Sequence, residues 1–239
     1  MRWKLLSNGL LCVIAIASTG ARAQDNLSHT VKVEVSARLT IADQQKHRSV
    51  PAVLWLEALE GTPVPPFPPH GRYTLLQKDR MFTPHLLVVP VGSVVSFPNA
   101  DPFFHNVFSL FDGKRFDLGL YEAGSSKEVP FQREGVSYIF CNIHPQMGAV
   151  VLSLSTPLYA VADSTDSFTL HNVPAGDYKV HVWVEGVPQS TLDGLTHRIH
   201  LLSGSIDLGE FHVSATPQSP VNHTNKFGRA YDQDTKPTY

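Results

Sequence analysis

Apolar and polar residues alternate strictly in two parts of the chain. Between positions 31 and 39, three valines, Ala37 and Leu39 take every second place, and polar residues lie between them. The same alternation returns between Tyr178 and Val184. Because side chains at positions i and i+2 of a strand point to the same side, both patterns predict β-strands with one face on a core and the other in water.

The middle of the chain consists of short apolar runs separated by Gly, Asn and Asp, which favour turns. Helix signals are scarce. Many short strands with regular turn signals are typical of a β-sandwich or barrel rather than a parallel α/β sheet, so the sequence predicts an all-β fold. The runs lie at positions 86–89, 94–97, 106–110, 129–131, 136–141 and 150–154.

Breaks in these patterns predict how the chain is divided. Prolines cluster between Gly61 and Tyr73, which indicates a linker or boundary, and alternation is lost from Ala215 onward. The N-terminal strands either complete a second β unit by pairing across the sequence or add a sheet to the first. The predicted parts are a leader at 1–23, N-terminal strands with a Pro-rich linker at 24–66, a first β domain at 67–155, a second β unit at 156–214 and a flexible tail at 215–239.

The first 23 residues have the features of a secretory signal peptide. Arg2 and Lys4 precede an apolar run from Leu10 to Ala17, and Ala21-Arg22-Ala23 is a small-x-small cleavage site. The apolar run is too short to serve as a membrane anchor, and no later segment is long enough to span a bilayer. We therefore expect a mature protein that begins at Gln24, is soluble and resides in the bacterial periplasm.

The charge balance argues against a nucleic-acid partner. Removal of the leader takes away three basic residues and no acidic one, so the formal net charge changes from −2 to −5. The mature chain is mildly acidic and has no basic runs, whereas a nucleic-acid binder carries a basic patch.

Cys141 is the one cysteine outside the leader, since the other, Cys12, lies within it. Cysteines in an oxidising compartment usually pair. A single cysteine there indicates an intermolecular bridge, a reactive thiol or a thiolate held by a metal.

The spacing around Cys141 favours the metal. Cys141, His144 and Met147 supply a thiolate, an imidazole and a thioether within seven residues, and His105 is the best candidate for a second imidazole. Two His and one Cys with a weak axial Met form the arrangement of blue copper sites. Structural zinc requires four strong ligands, and a Cys-His nucleophile requires an orienting group and an oxyanion site that the sequence does not suggest.

The motifs FPNADPFFHNV and CNIHPQM, with the strand VSYIF before the cysteine, resemble the cupredoxins, and the short ligand loop is similar to that of amicyanin. The resemblance covers positions 82 to 154 and implies a Greek-key β-sandwich with one type 1 copper site. It implies that His105, Cys141 and His144 are the strong ligands and Met147 the axial one. It further implies that Asn106 does not bind the metal itself but connects the loops that carry the ligands.

The flanking sequence resembles a narrower group of bacterial proteins described as methylamine-utilisation-like. In that group a cupredoxin unit is joined to a β unit of the transthyretin-like or carboxypeptidase-regulatory-like kind. Positions 159 to 185, with FTLHNVPAGDYKVHVW, carry this second likeness. Some transthyretin relatives hydrolyse purine derivatives, but the ending KPTY does not match their terminal motif, so the unit is expected to be structural or partner-binding.

Three further features have open or secondary roles. His85 is a fifth ligand, a hydrogen-bond donor to one of the ligands or a surface residue. Met81 is assigned to core packing. His144 is expected near the surface, with Pro102, Phe103, Phe104 and Pro145 as an apolar collar for brief contact with a redox partner.

These observations favour a periplasmic type 1 copper protein that carries single electrons to or from a c-type cytochrome or dehydrogenase. The expected protein is monomeric and not an enzyme, because a copper active centre needs an open coordination position or a second copper site. The alternative is a copper-binding or carbohydrate- or partner-binding module, in which the metal is structural or delivered.

Overall fold

The computed structural model describes residues 31–42, 50–66, 71–110, 113–214 and 224–231. The predicted leader lies outside these residues. The described part is almost entirely β-structure with one short helix, α1 (Gln189–Asp193), which confirms the predicted all-β class. Within it, no helix is long and apolar enough to cross a bilayer.

The strands follow one another along the chain in this order: β1 (Lys32–Ile41), β2 (Ala52–Ala58), β3 (Arg72–Thr74), β4 (Leu76–Lys78), β5 (Met81–Thr83), β6 (Leu86–Pro90), β7 (Ser93–Pro98), β8 (His105–Ser109), β9 (Phe116–Tyr121), β10 (Ser126–Phe131), β11 (Gly135–Cys141), β12 (Gly148–Leu154), β13 (Tyr159–Val161), β14 (Ser167–Pro174), β15 (Gly176–Val184), β16 (His197–Leu201) and β17 (Gly204–Val213).

Strands β3 to β12 form a sandwich that is called the ligand unit below. One sheet has the order β6-β12-β11-β8-β9, and the facing sheet has the order β10-β7-β3, with the hairpin β4-β5 beside them. The core between the sheets includes Phe97, Phe131, Ile139 and Val151, all 3% exposed or less. Aromatic and β-branched residues suit these positions because they pack well on a pleated surface.

The N-terminal strands pair with strands of the last third of the chain. In one sheet β1 lies between β14, to which it is antiparallel, and β17, to which it is parallel. In the other sheet β2 lies between β13 and β15, antiparallel to both. Of the two arrangements that the sequence left open, the structure has the first, in which these strands complete the second β unit. Strands β1, β2 and β13 to β17 are called the composite unit below.

Strand β12 joins the cores of the two units. Ala149 and Val151 face the inside of the ligand unit, while Val150, Leu152 and Leu154 pack with the core of the composite unit. Both faces of the strand are therefore buried. This explains why its sequence, GAVVLSL, is a nearly continuous apolar run rather than an alternating one.

Candidate metal centre

The candidate ligands come from two neighbouring strands and one loop. His105 is the first residue of β8 and Cys141 is the last residue of β11, and these strands pair antiparallel with Cys141 opposite Val107. The loop that follows Cys141 carries His144 and Met147 and returns directly into β12. Strand pairing thus brings together residues that are 36 positions apart in sequence.

Three donor atoms converge at this point. Cys141 Sγ lies 3.6 Å from Nδ1 of His105 and 3.6 Å from Nδ1 of His144, and the two nitrogens are 3.2 Å apart. All three side chains are buried. In the part of the chain that the structure describes, this is the one group of His, Cys, Asp or Glu side chains whose ligand atoms converge in this way.

Backbone amides surround the thiol. The N–H groups of Asn106, Ile143 and His144 donate to Cys141 and favour its thiolate form. Burial has the larger effect, and the pKa of Cys141 is raised above its ordinary value. The copper-free protein therefore carries a protonated thiol at neutral pH, and a bound cation would supply the charge that stabilises the thiolate.

Asp101 fixes the orientation of His105, a role that was not predicted from the sequence. Its Oδ2 lies 2.8 Å from His105 Nε2, so this nitrogen carries the proton and Nδ1 presents its lone pair to the site. The backbone N–H groups of Asp79 and Arg80 donate to the same carboxylate. Burial opposes its ionisation, but these donors and His105 outweigh burial and lower its pKa. A signal was present, since Asp101 precedes His105 by four residues within NADPFFHN.

His144 is less accessible than the sequence suggested. Only 3% of it is exposed, because the Phe103 ring covers it with a centroid distance of 5.5 Å. Phe103 also contacts the ring of His105 at 5.4 Å. The expected outward-facing imidazole edge is therefore covered, whereas Phe104, which was predicted in the same collar, is 46% exposed. Burial, and then the charges of His105 and Arg80, lower the pKa of His144 to about 4.

The ligand loop is closed by two backbone hydrogen bonds at Met147. Its N–H donates to His144 O over 3.0 Å, and its carbonyl accepts the N–H of Cys141 over 3.2 Å. The Met147 side chain is fully buried in the core that also contains Cys141. A thioether at this place has no access to solvent.

Asn106, on β8, contacts the start of the ligand loop through its backbone and β9 through its side chain. Its carbonyl accepts the N–H of Asn142 over 2.9 Å. Its side-chain Nδ2 donates to Asp117 Oδ1 over 2.6 Å.

The structure also places His85 and Met81, whose roles the sequence left open or secondary. His85 Nδ1 lies 3.0 Å from the Gly148 carbonyl, and its Nε2 lies 2.8 Å from Glu185 of the composite unit. Both ring nitrogens thus contact other protein atoms, which does not suit a fifth ligand. The assignment of Met81 to the core is wrong: it is 57% exposed on the short hairpin strand β5.

The donor set fits copper in chemical terms. Metals bind imidazole nitrogen and thiolate sulfur at about 2.0–2.3 Å, so donors that share one ion lie roughly 3–4 Å apart. The three observed separations fall in this range. Thiolate and imidazole with a buried thioether nearby suit copper, whereas structural zinc would require a fourth strong ligand.

Comparisons with known proteins give matches only among solved structures. A purple cupredoxin from Nitrosopumilus maritimus is 26% identical, with 34% of this chain and 99% of that one covered and a TM-score of 0.32. A mutant of reduced amicyanin is 19% identical, with 34% and 80% covered and a TM-score of 0.32. A copper-containing nitrite reductase from Thermus scotoductus is 23% identical, with 41% and 25% covered and a TM-score of 0.33.

No family model and no curated protein matches the chain. Each of the three likenesses covers less than half of this chain.

Proposed function

We propose that this protein is a periplasmic type 1 copper protein that carries single electrons between redox partners. One observation carries the proposal: the thiol of Cys141 and the Nδ1 atoms of His105 and His144 converge in a buried site within 3.6 Å of one another. His105, Cys141 and His144 would hold the ion, and Met147 would be the weak axial ligand. We propose a monomer that exchanges electrons with a c-type cytochrome or a dehydrogenase.

When bound, copper supplies a one-electron couple between Cu(I) and Cu(II). The protein's contribution is to keep the donors in place. Asp101 orients the His105 ring, and three backbone N–H groups point at the Cys141 sulfur. Phe103 covers both imidazoles and excludes water from them. A rigid, dry donor set needs little rearrangement when the charge changes, which suits electron transfer.

The exposed residues next to the site supply a docking surface. Pro102, Phe104 and Pro145 are exposed and lie within three positions of His105 or His144 in the sequence. A small apolar patch suits the brief contacts of electron-transfer partners. The change Phe104→Ser is expected to slow electron exchange with a cytochrome in stopped-flow experiments, and unchanged rates with every partner tested would contradict this role.

The first test is the absorption and electron paramagnetic resonance spectrum of residues 24–239 loaded with Cu(II), beside Cys141→Ser. We expect an intense thiolate-to-copper band that bleaches on reduction and is absent from the variant. A colourless protein, or a copper signal that survives the loss of Cys141, would contradict the proposed function.

A second candidate function, recognition of a carbohydrate or protein partner, is favoured by a cleft of about 940 Å³ at the junction of the two units. Trp55, Tyr138 and Trp183 line it, and the Trp55 ring stacks on His181 with a centroid distance of 5.1 Å. Aromatic faces beside polar groups are typical of such sites. Titration calorimetry with soluble glycans, with Trp55→Ala as the comparison, tests this candidate, and no heat with any glycan would count against it.

A further inference from the structure

The segment 224–231, which belongs to the predicted tail, lies against the ligand unit at the ends of the ligand-bearing strands. The segment forms its own turn. Asn225 Oδ1 accepts the backbone N–H groups of Phe227 and Arg229, and the backbone N–H of Asn225 donates to the Arg229 carbonyl. Gly228 occupies a left-handed conformation with φ of 75°, which Gly adopts without strain. The turn leaves Lys226 and Tyr231 in contact with the ligand unit.

Tyr231 contacts a predicted copper ligand directly. Its hydroxyl donates to the carbonyl of Cys141 over 3.0 Å, at the last residue of β11. Burial, and then the neighbouring Cys141, raise the pKa of Tyr231 above its ordinary value, so the phenol keeps its proton at neutral pH. The hydroxyl thus satisfies a backbone carbonyl at the point where the strand ends and the ligand loop begins.

Lys226 contacts Asn142, the residue after Cys141, and the carboxylate of Asp117. Its backbone N–H donates to Asn142 Oδ1 over 2.9 Å, and its Nζ donates to Asp117 Oδ2 over 2.8 Å. Asp117 Oδ1 accepts from Asn106, the residue next to His105. Burial opposes ionisation of Asp117, but its donors, with Lys226 first, outweigh burial and lower its pKa. One segment is therefore hydrogen-bonded to the start of the ligand loop and, through Asp117, to β8.

We propose that residues 224–231 form a C-terminal clamp that fixes the end of β11 and the ligand loop, and that the clamp slows the release of copper. Lys226 and Tyr231 are positioning residues, since they act through Cys141, Asn142 and Asp117 and not on the metal. The copper part of this inference rests on the proposed function. Because no other described segment holds the Cys141 carbonyl through a side chain, removal of the Tyr231 hydroxyl loosens the strand end.

The test compares the mature protein with Tyr231→Phe, Lys226→Met and the double variant. Tyr159→Phe, on β13 of the composite unit, is the matched control. In copper-free protein, hydrogen exchange at the backbone N–H groups between residues 141 and 147 is expected to rise roughly two- to tenfold in Tyr231→Phe, the range that one lost hydrogen bond gives, and further in the double variant. In copper-loaded protein, release to a chelator is expected to accelerate by a similar factor, and the control is expected to change neither rate.

Each other result overturns the inference. Unchanged exchange at residues 141–147 means that the segment holds nothing, and a uniform rise over all strands means that it stabilises the whole fold. Faster exchange with unchanged copper release means that the clamp does not govern the metal. If the unaltered protein shows no thiolate-to-copper band, the proposed function fails, while the exchange measurement on copper-free protein still decides whether the clamp fixes the strand end.

Discussion

Asp101 determines how the imidazole of His105 is presented to the candidate metal site, although Asp101 is not itself a candidate ligand. Its carboxylate holds His105 Nε2 and is in turn held by two backbone N–H groups. Partners of this kind orient a ligand and raise its basicity. Their loss typically weakens metal binding by about 10- to 100-fold.

We therefore expect Asp101→Ala to raise the copper dissociation constant by about 10- to 100-fold in a chelator competition. Asp163→Ala is the control, because Asp163 also caps a loop through backbone N–H groups, from Thr165 and Ser167, but lies in the composite unit. Equal affinities in the two variants would show that Asp101 only caps its loop.

The pKa of His144 predicts how the copper-free protein responds to acid. This pKa is about 4, whereas the ordinary value is 6.5. Between these values the unfolded chain binds a proton at His144 and the folded chain does not. The free energy of unfolding is therefore expected to fall as the pH drops from 6.5 to about 4, measured by urea denaturation with His144→Gln as the comparison. A variant with the same pH profile as the unaltered chain would contradict this assignment.

At the level of elements, the alternating patterns predicted the strands well because burial of one face leaves a period of two in the sequence. In β1, Val33, Val35, Ala37 and Leu39 are buried as predicted, while Val31, before the strand, is 49% exposed. The pairing of β1 with β17 could not be predicted, since Thr40 and Glu210, whose side chains are hydrogen-bonded between the two strands, are 170 positions apart and no local signal links them.

The candidate ligands could be selected from the sequence for a related reason. Cys141, His144 and Met147 lie close together in sequence around one loop, so their spacing alone indicates that they are close in space. His105 was selected because of the motif around it, FPNADPFFHNV. The contributions of Phe103 as a cover, Asp101 as an orienting group and Tyr231 as a contact to the Cys141 carbonyl depend on tertiary packing. Tyr231 shares the tail with two other aromatic residues, Phe227 and Tyr239, so the sequence alone does not single it out.

Strand β12 contributes side chains to the cores of both units. Leu152 is 1% exposed and packs in the core of the composite unit although it belongs to the ligand unit. Leu152→Ala is expected to lower the free energy of unfolding by about 2–5 kcal/mol, as for other buried leucines. Leu120→Ala, at 58% exposure, is expected to change it by less than about 0.5 kcal/mol in the same urea titration. Similar losses in both variants would contradict the shared core.

At the level of the whole molecule, His85 and Glu185 join the two units beside the candidate metal centre. Glu185 directly follows β15, has 7% of its side chain exposed, and contacts His85 at 2.8 and 2.9 Å. His85 in turn contacts the carbonyl of Gly148, the residue after Met147. Because Glu185 is buried, its contact with His85 is expected to contribute more than an exposed pair of the same length.

We expect Glu185→Gln to lower the free energy of unfolding by about 1–3 kcal/mol, the range for hydrogen bonds to charged groups. The control is Glu57→Gln, which removes the 2.8 Å contact of Glu57 with His181 where 57% of the Glu57 side chain is exposed. An exposed pair contributes about 1 kcal/mol or less. A larger loss for Glu57→Gln than for Glu185→Gln would contradict a role for the buried contact.

The pairing of β2 with β13 has a consequence for the architecture of the chain. These strands are antiparallel neighbours, with Trp55 opposite Tyr159, as the two arms of a hairpin would be. The entire ligand unit therefore occupies the place of a hairpin loop, as an inserted domain within a host sandwich. In sequence, the ligand unit lies between two paired strands of the composite unit, β2 and β13. One side of β12 also packs in the core of the composite unit, so rotation of the ligand unit relative to the composite unit is restricted.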